Sequence, residues 1–335
     1  MTLPPALSGP LALPVVASPL FIISDPRLVA AQCKAGVIGS FPALNARPAA
    51  LLREWLTELT EDLARHAAEH PESPTAPFAV NQIVHRSNDR LEADLRACVE
   101  FEVPIVITSL GARPEVNEAV HSYGGIVLHD VISDAQARKA IAKGADGVIA
   151  VAAGAGGHAG TTSPFALVQE IREWFDGPLL LSGAVAHGRS ILAAQAAGAD
   201  LAYIGSAFIA THEANADDGY KRMLVESTAA DIVYSNLFTG VHGNYLHGSI
   251  TAAGLDPAAL PESDPSAMNF GSGGNMGAKA WRDIWGAGQG VGAVKQVDAV
   301  AEVVARLRRE YDEALTAGVW DGRTRRRFAV SGEPH

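Results

Sequence analysis

Cysteine is scarce in this chain: Cys33 and Cys98 are the only two among 335 residues. Two thiols cannot build a disulfide framework, and with no secretory signature the sequence predicts a reducing, cytoplasmic setting. Positive charge is also short. Lys plus Arg total 26 against 37 Asp plus Glu, a formal net charge of −11. That balance argues against nucleic acid or a membrane surface as partner, because phosphate groups attract clustered cations. Residues 2–24 carry no charge at all, yet the basic segment that opens a signal peptide is missing too. Pro4, Pro5, Pro10, Pro14 and Pro19 would break a membrane-spanning helix there. A second uncharged run, from Gly147 to Gln169, is rich in glycine and holds His158, so it makes no better span. The expectation is a soluble protein.

Apolar residues are plentiful at 48%, with 19% charged, which suffices for a large core. Short β-branched runs alternate with longer helical stretches. Candidate strands are Val15-Val16-Ala17, Val37-Ile38-Gly39, Phe78-Ala79-Val80, Ile105-Val106-Ile107, Ile126-Val127-Leu128, Val148-Ile149-Ala150, Leu179-Leu180-Leu181 and Leu201-Ala202-Tyr203-Ile204. They are nearly all apolar rather than alternating, as in a parallel sheet covered on both faces. Asp25-Pro26 and Ser133-Asp134 read as helix starts, and Gly36, Gly144 and Gly198 fall where helices should stop. Eight βα units most economically close into an α/β TIM (β/α)8 barrel, with a doubly wound open sheet as the competing fold. The rhythm stops after Ile204. Residues 212–280 lack clear strands, apart from a helix-like piece near Asp217 to Ala230, and include the loop Gly271-Ser272-Gly273-Gly274-Asn275. They read as an inserted, mostly helical or loop segment, a lid or substrate domain over the barrel mouth. The barrel itself is assigned to residues 1–211 and 281–335. A last helix with Val297, Val300, Val304, Leu307, Tyr311 and Leu315 at three- and four-residue steps packs back on it, followed by a solvated basic run, Arg323 to Arg327.

Function in such a barrel sits on loops after the C-terminal ends of the strands. The loop after the sixth strand holds Gly154, Gly156, Gly157 and Gly160 around a single titratable group, His158. Glycines let the backbone approach a ligand closely, and an imidazole suits proton abstraction near neutral pH. Loops after strands seven and eight carry Ser182-Gly183 and Gly205-Ser206, a common place for a barrel phosphate site. His187 could reach a phosphate or simply cap a helix. Pro19 and Leu20 form an apolar, proline-fixed loop suited to an aromatic ring. Asn81-Gln82 offer amides to a heterocycle edge, and His129-Asp130 close the ring of candidates. Gln289 lies between glycines in the Trp281 to Gly292 segment and could reach the mouth. His242 and His247 are poorly spaced for a metal, no carboxylates join them, and no metal site is expected.

The motifs SPL at 18–20, AGAGGHAG around His158, SGAVAHG at 182–188, AAGADLAYIGSAFIATHEA at 196–214 and GAGQGVG at 286–292, together with Asn81, resemble those of nitronate monooxygenases, formerly called 2-nitropropane dioxygenases. The resemblance covers most of the chain. It implies a TIM barrel that binds FMN non-covalently and oxidises alkyl nitronates, or nitroalkanes, with O2 to a carbonyl compound and nitrite. Position by position, His158 matches the family's catalytic histidine and Asn81 an amide contacting the flavin. Ser182, Gly183, Gly205 and Ser206 match the phosphate cradle, and Gln289 a glutamine near the flavin. Leu20 stands where many members have methionine against the ring, with Pro19 before it and Gly156 and Gly157 ahead of the base. There are departures. Asp130 lies where some relatives place a lysine, Gly154 where many carry an acidic residue, and Ala184-Val185 and His187 differ from the usual pattern.

Three alternatives remain at this level. A related barrel could use the same FMN site as an NAD(P)H oxidoreductase for quinones or enoyl thioesters. A barrel of the IMP-dehydrogenase kind needs a nucleophilic cysteine on a mouth loop, whereas Cys33 and Cys98 fall on helices. A barrel that binds flavin without catalysis would have no need of His158. The expected partners are a small organic substrate and O2, and the composition permits a homodimer.

Overall fold

The computed structural model describes residues 3–263 and 283–317. The glycine-rich run at 271–275, Trp281 and the basic run at 323–327 lie outside the described residues. The strands, in chain order, are β1 (Val15–Ala17), β2 (Gly39–Pro42), β3 (Phe78–Ile83), β4 (Ile105–Ser109), β5 (Ile126–Val131), β6 (Gly147–Val151), β7 (Gly157–His158), β8 (Leu179–Ser182), β9 (Leu201–Ile204), β10 (Ile232–Ser235) and β11 (Gly243–Leu246). Eight of them form one sheet in the order β1-β9-β8-β6-β5-β4-β3-β2, with every pairing parallel. Its two ends meet. Val16 bridges Ile38 just ahead of β2, with Ala17 N donating to Ile38 O at 2.8 Å and Ile38 N to Val15 O at 3.1 Å. Closure leaves no exposed edge, so the fold is the TIM barrel and not the open sheet.

The sequence places all eight barrel strands, but their ends shift. β2 starts at Gly39, while β3, β4 and β5 run on to Ile83, Ser109 and Val131. Asn81 and Asp130 therefore stand inside strands rather than on the loops after them. Helix signals act as expected. Asp25 accepts from Leu28 N at 3.0 Å and Ser133 from Gln136 N at 3.3 Å, each satisfying an N–H that the first turn leaves unpaired. Gly198, at φ +116°, ends the helix Gly188–Ala197, a conformation that disfavours any residue with a Cβ. The helix Leu51–Glu69 buries Leu52, Leu56, Leu59 and Leu63, one face at three- and four-residue steps. The final helix begins at Val300 and buries Val300, Val303, Val304, Leu307 and Ala314. Val297 precedes it, and Leu315 is exposed. It packs on the helices Gly188–Ala197 and Pro26–Lys34, supplying the outer layer that β9 otherwise lacks.

The region after β9 does contain strands, contrary to the expectation from its composition. β10 and β11 form an antiparallel hairpin, with Val233 opposite Tyr245. β11 also pairs with β7, with Gly243 opposite His158 and Asn244 opposite Gly157. Each is at most four residues long, and β7 lies some 75 residues before β10 in the chain, so no local alternation announces the pairing. Tyr245, Ile250 and Ile284 form a small core beneath the hairpin.

Candidate active site

The barrel interior is laid down by strand parity. Side chains two apart in a strand face the same way, so Ala79, Ile105, Ile107, Leu128, Ile149, Leu180 and Leu201 fill the lower interior. The next residues with the same parity are Asn81, Ser109, Asp130, Val151, Ser182 and Tyr203. All six line one cavity of about 1090 Å³ at the C-terminal mouth. That exceeds the usual range of roughly 300–1,000 Å³ for ligand pockets. Five of the six carry a polar group, so the apolar core gives way to a polar floor where the cavity begins.

The floor is wired in one direction. Asn81 Nδ2 donates to Ser109 Oγ at 2.7 Å and to Ile107 O at 3.2 Å, and Ser109 Oγ donates to Asp130 Oδ2 at 2.5 Å. The chain stops there. Asp130 Oδ1 and the Tyr203 hydroxyl are buried without a hydrogen-bond partner. Burial raises the Asp130 carboxyl to about 6 despite the Ser109 bond. Burial first, and then the Asp130 charge, raises the Tyr203 phenol well above its ordinary range. Buried polar groups are normally satisfied, so these two oxygens are an exception at the floor of the cavity.

His158 is positioned from the other side. It sits on β7, held by β11, and its Nε2 lies 3.0 Å from Thr239 Oγ1. The Thr239 hydroxyl donates to Val241 O at 2.9 Å and accepts from Val241 N at 3.2 Å. With its proton committed to the carbonyl, Thr239 accepts from Nε2–H. That tautomer, assigned from the hydrogen-bond network, puts the basic lone pair on Nδ1. Burial pushes the imidazole down to about 4, so the ring is neutral at pH 7. Neighbouring contacts pin the same segment: Tyr234 donates to Ala159 O at 2.9 Å and Asn244 to Ala155 O at 2.6 Å. The geometry around His158 is thus set by residues after β9 as much as by the barrel.

The remaining candidates mostly converge on the cavity. Pro19, Leu20, Gly156, Gly157, Gly183, Gly205 and Ser206 all line it. Ser206 Oγ accepts from Gly288 N at 2.9 Å, which turns its own proton elsewhere. Gly183 has φ +140°, and a Cβ there would lie 2.7 Å from Ala153 O, so this turn is closed to larger residues. Ile22, Leu110 and Ala184 have φ of +58°, +62° and +55°, and each lines the same cavity. Such strain, of order 1–3 kcal/mol per residue, gathers at functional sites.

Gln289 is the exception. It is exposed, only its neighbours Gly288 and Gly290 line the cavity, and its N donates to Gly154 O at 2.9 Å. A side chain at 154 would meet Gln289 Oε1 at 3.0 Å, so glutamine fills the space that glycine leaves. Gln82 points outward to Cys98 Sγ at 3.3 Å. His129 bonds Thr108 Oγ1 at 2.6 Å. His187 caps the helix Gly188–Ala197, accepting from Arg189 N at 3.1 Å, and stands outside the cavity lining. Cys33 and Cys98 are buried and their thiols pushed up to about 12, mainly by desolvation, so neither is a nucleophile. Among the described residues no cluster of three His, Cys, Asp or Glu is arranged for a metal, and no helix is long and apolar enough to cross a membrane.

Ser109, Tyr203 and Thr239 were not singled out by sequence. Strand parity could have found the first two. Thr239 gives no local signal, because its partner His158 lies 81 residues away.

Comparison with known proteins bears on the same residues. Residues 7–310 match the family described as Nitronate monooxygenase. A nitronate monooxygenase of Paraburkholderia phytofirmans is 27% identical over 350 residues, covering 90% of this chain and 93% of that protein. One from Neurospora crassa is 25% identical over 342 residues, covering 90% and 89%. A solved nitroalkane oxidase from Streptomyces ansochromogenes superposes with TM-score 0.77 at 26% identity, over 93% of this chain and all of that one. FabK from Thermotoga maritima shares the fold, with TM-score 0.71 at 23% identity, over 93% and 96%. The chain therefore belongs to the nitronate monooxygenase family of oxidoreductases.

Proposed function

We propose that this protein binds FMN and oxidises alkyl nitronates, or the nitroalkanes that give rise to them, with O2 to a carbonyl compound and nitrite. The observation that carries the reading is one neutral imidazole, His158, held at the rim of a large cavity with an unsatisfied polar floor.

The residues fit the cofactor. The hydroxyls of Ser182 and Ser206, with the turns at Gly183 and Gly205, hold the phosphate at the mouths of β8 and β9. Pro19 and Leu20 give the ring an apolar wall, and Asn81 and Asp130 meet its polar edge. Gly156 and Gly157 let the backbone carrying His158 come close. Gln289 acts from behind, holding Gly154 in place. Bound flavin supplies the two-electron acceptor and the reaction with O2. The chain's own task is proton transfer and orientation. Neutral His158 takes the Cα proton of a nitroalkane at Nδ1, while Thr239 fixes the ring through Nε2. Because burial disfavours the imidazolium, the base is fully available at neutral pH. Residues 212–263, through β10, β11 and Thr239, act as a cover that excludes water and sets the position of the base.

A second reading, an NAD(P)H-dependent reductase of quinones or enoyl thioesters, is favoured by one observation. The cavity of about 1090 Å³ exceeds the usual range of roughly 300–1,000 Å³ for a single ligand. Anaerobic mixing separates the two. Bleaching of bound flavin by a nitronate and not by NADH is expected; rapid bleaching by NADH alone would establish the reductase. His158→Ala should lower nitroalkane turnover by ~10²–10⁴, the range for a general base, with flavin still bound. Undiminished turnover in that variant refutes the mechanism.

A further inference from the structure

We propose that Asp130, with Tyr203 beside it, is a proton acceptor at the polar edge of the bound flavin ring, so that electron uptake by the flavin draws a proton onto the Asp130 carboxyl. The inference rests on the FMN reading above and adds to it a redox-linked titrating group distinct from His158.

The geometry is that of the cavity floor. Asn81, Ser109 and Asp130 form a chain in which every hydrogen points toward the carboxylate, ending on Oδ2. The second oxygen, Oδ1, and the phenol of Tyr203 are buried and have no partner, on two residues that line the cavity. Oδ2 is therefore stabilised as an acceptor in either protonation state, and Oδ1 is the atom left to gain or lose a proton against a ligand.

The surrounding groups leave this role to Asp130. From β9, Tyr203 faces it and stays protonated. From β4 and β3 come Ser109 and Asn81, which do not titrate. β6 contributes the apolar Ile149 and Val151. On β5 itself, His129 is turned to Thr108 and pushed down to about 4 by burial. His158 and His85 on mouth loops, Lys139 from the following helix, and Arg47 line the same cavity. His158 is neutral above pH 5, whereas the Asp130 carboxyl is raised to about 6, so the two titrate in separate windows.

Charge balance fixes the direction. The reductant delivers two electrons to the flavin and one proton reaches the ring with them, which leaves the ring one negative charge richer. A proton from bulk water binds the Asp130 carboxylate, and no bond to carbon is made or broken at the pair. The reduced ring repels a carboxylate, so reduction raises the proton affinity of Asp130. By linkage, the carboxylate holds the flavin potential down at high pH and the neutral acid releases it.

The test is reductive titration of the flavin-loaded enzyme against reference dyes between pH 5 and 8.5, which needs no turnover. In the wild type the plot of potential against pH should break near pH 6. Asp130→Asn keeps an oxygen for Ser109 but cannot titrate. It should match the wild type at pH 5 and lie above it at pH 8, with the difference between the two opening as pH rises through 6 and any break of the ring itself common to both. A tenfold difference in proton affinity between the two flavin states corresponds to about 30 mV for a two-electron couple, and a difference of at least that size is expected. Superimposable profiles for wild type and Asp130→Asn, with flavin bound in both, overturn the proposal and leave the FMN reading standing. A protein whose absorbance shows that it takes up no flavin overturns both.

Discussion

Replacing Gly188 by alanine tests how tightly the last helix is tied to the phosphate side of the mouth. Gly188 closes the loop from Ser182 and opens the helix Gly188–Ala197. An alanine Cβ there would lie 2.5 Å from Leu307 O and 2.6 Å from Glu310 C, and closer still to Tyr311 N. All three are backbone atoms of the final helix, so no side chain can turn aside and the two helices must separate. Overpacking of this kind costs about 1–3 kcal/mol, and rigid backbone on both sides points to the upper end. Separation also breaks the bond from Gly188 N to Glu310 Oε2, now 2.8 Å. This is a charge-assisted bond at a helix N-terminus, worth about 1.5–3 kcal/mol. The two effects together come to about 3–6 kcal/mol. With an unfolding entropy of about 2.1 cal/mol/K per residue, a chain of 335 residues loses about 4–9 °C of Tm. Calorimetry at one scan rate measures this. Because the moved residue ends the loop proposed to hold phosphate, FMN affinity should fall in parallel, read by fluorescence on release. A Tm within 1 °C of the wild type would show that the helices separate without cost, and the packing argument fails.

Thr239→Val should leave flavin bound but lower kcat about tenfold through a misplaced His158, while Thr239→Ser restores it; equal kcat in all three proteins would sink the positioning role. The acid limb of kcat/KM for nitroalkane oxidation should fall near pH 4, with a plateau from pH 6 to 8, because burial depresses the imidazole and its neutral form is the active one. A limb centred near 6.5 would mean a solvated histidine. Asp130→Asn should stabilise the flavin-free protein at pH 8 by up to about 3 kcal/mol, at 1.36 kcal/mol per pKa unit, and give no gain at pH 4. The folded carboxyl is raised from 3.8 to about 6, so its favourable contribution is full below 3.8 and is lost as pH rises through 6. Urea unfolding at the two pH values reads the sign, and an equal effect at both would contradict a buried titrating acid.

The fold was legible because its signals are local and repeated. Each barrel strand is a short apolar run, and caps such as Asp25 and Ser133 act within a single turn. Closure was the part that spacing could not give, since it rests on the pairing of β1 with Ile38, the residue just ahead of β2. The loops carrying Ser182, Gly183, Gly205, Ser206 and His158 were found because glycine breaks the apolar rhythm where the barrel rule places function. The same rule, read as loops alone, put Asn81 and Asp130 after their strands rather than within them and passed over Ser109 and Tyr203. Asn81, Ser109, Asp130 and Tyr203 belong to strands, and only their parity with Ala79, Ile107, Leu128 and Leu201 shows that they face inward. A polar residue two positions after the last inward apolar one, at a strand's C-terminal end, is therefore a site signal in a barrel. The Tyr203 hydroxyl illustrates it: the residue completes an otherwise apolar strand, Leu201–Ile204, yet its oxygen is left unsatisfied. Packing alone would be served as well by phenylalanine. An unsatisfied hydroxyl on a residue that lines the cavity fits the proposal that the floor and the mouth are parts of one site rather than a core with loops above it.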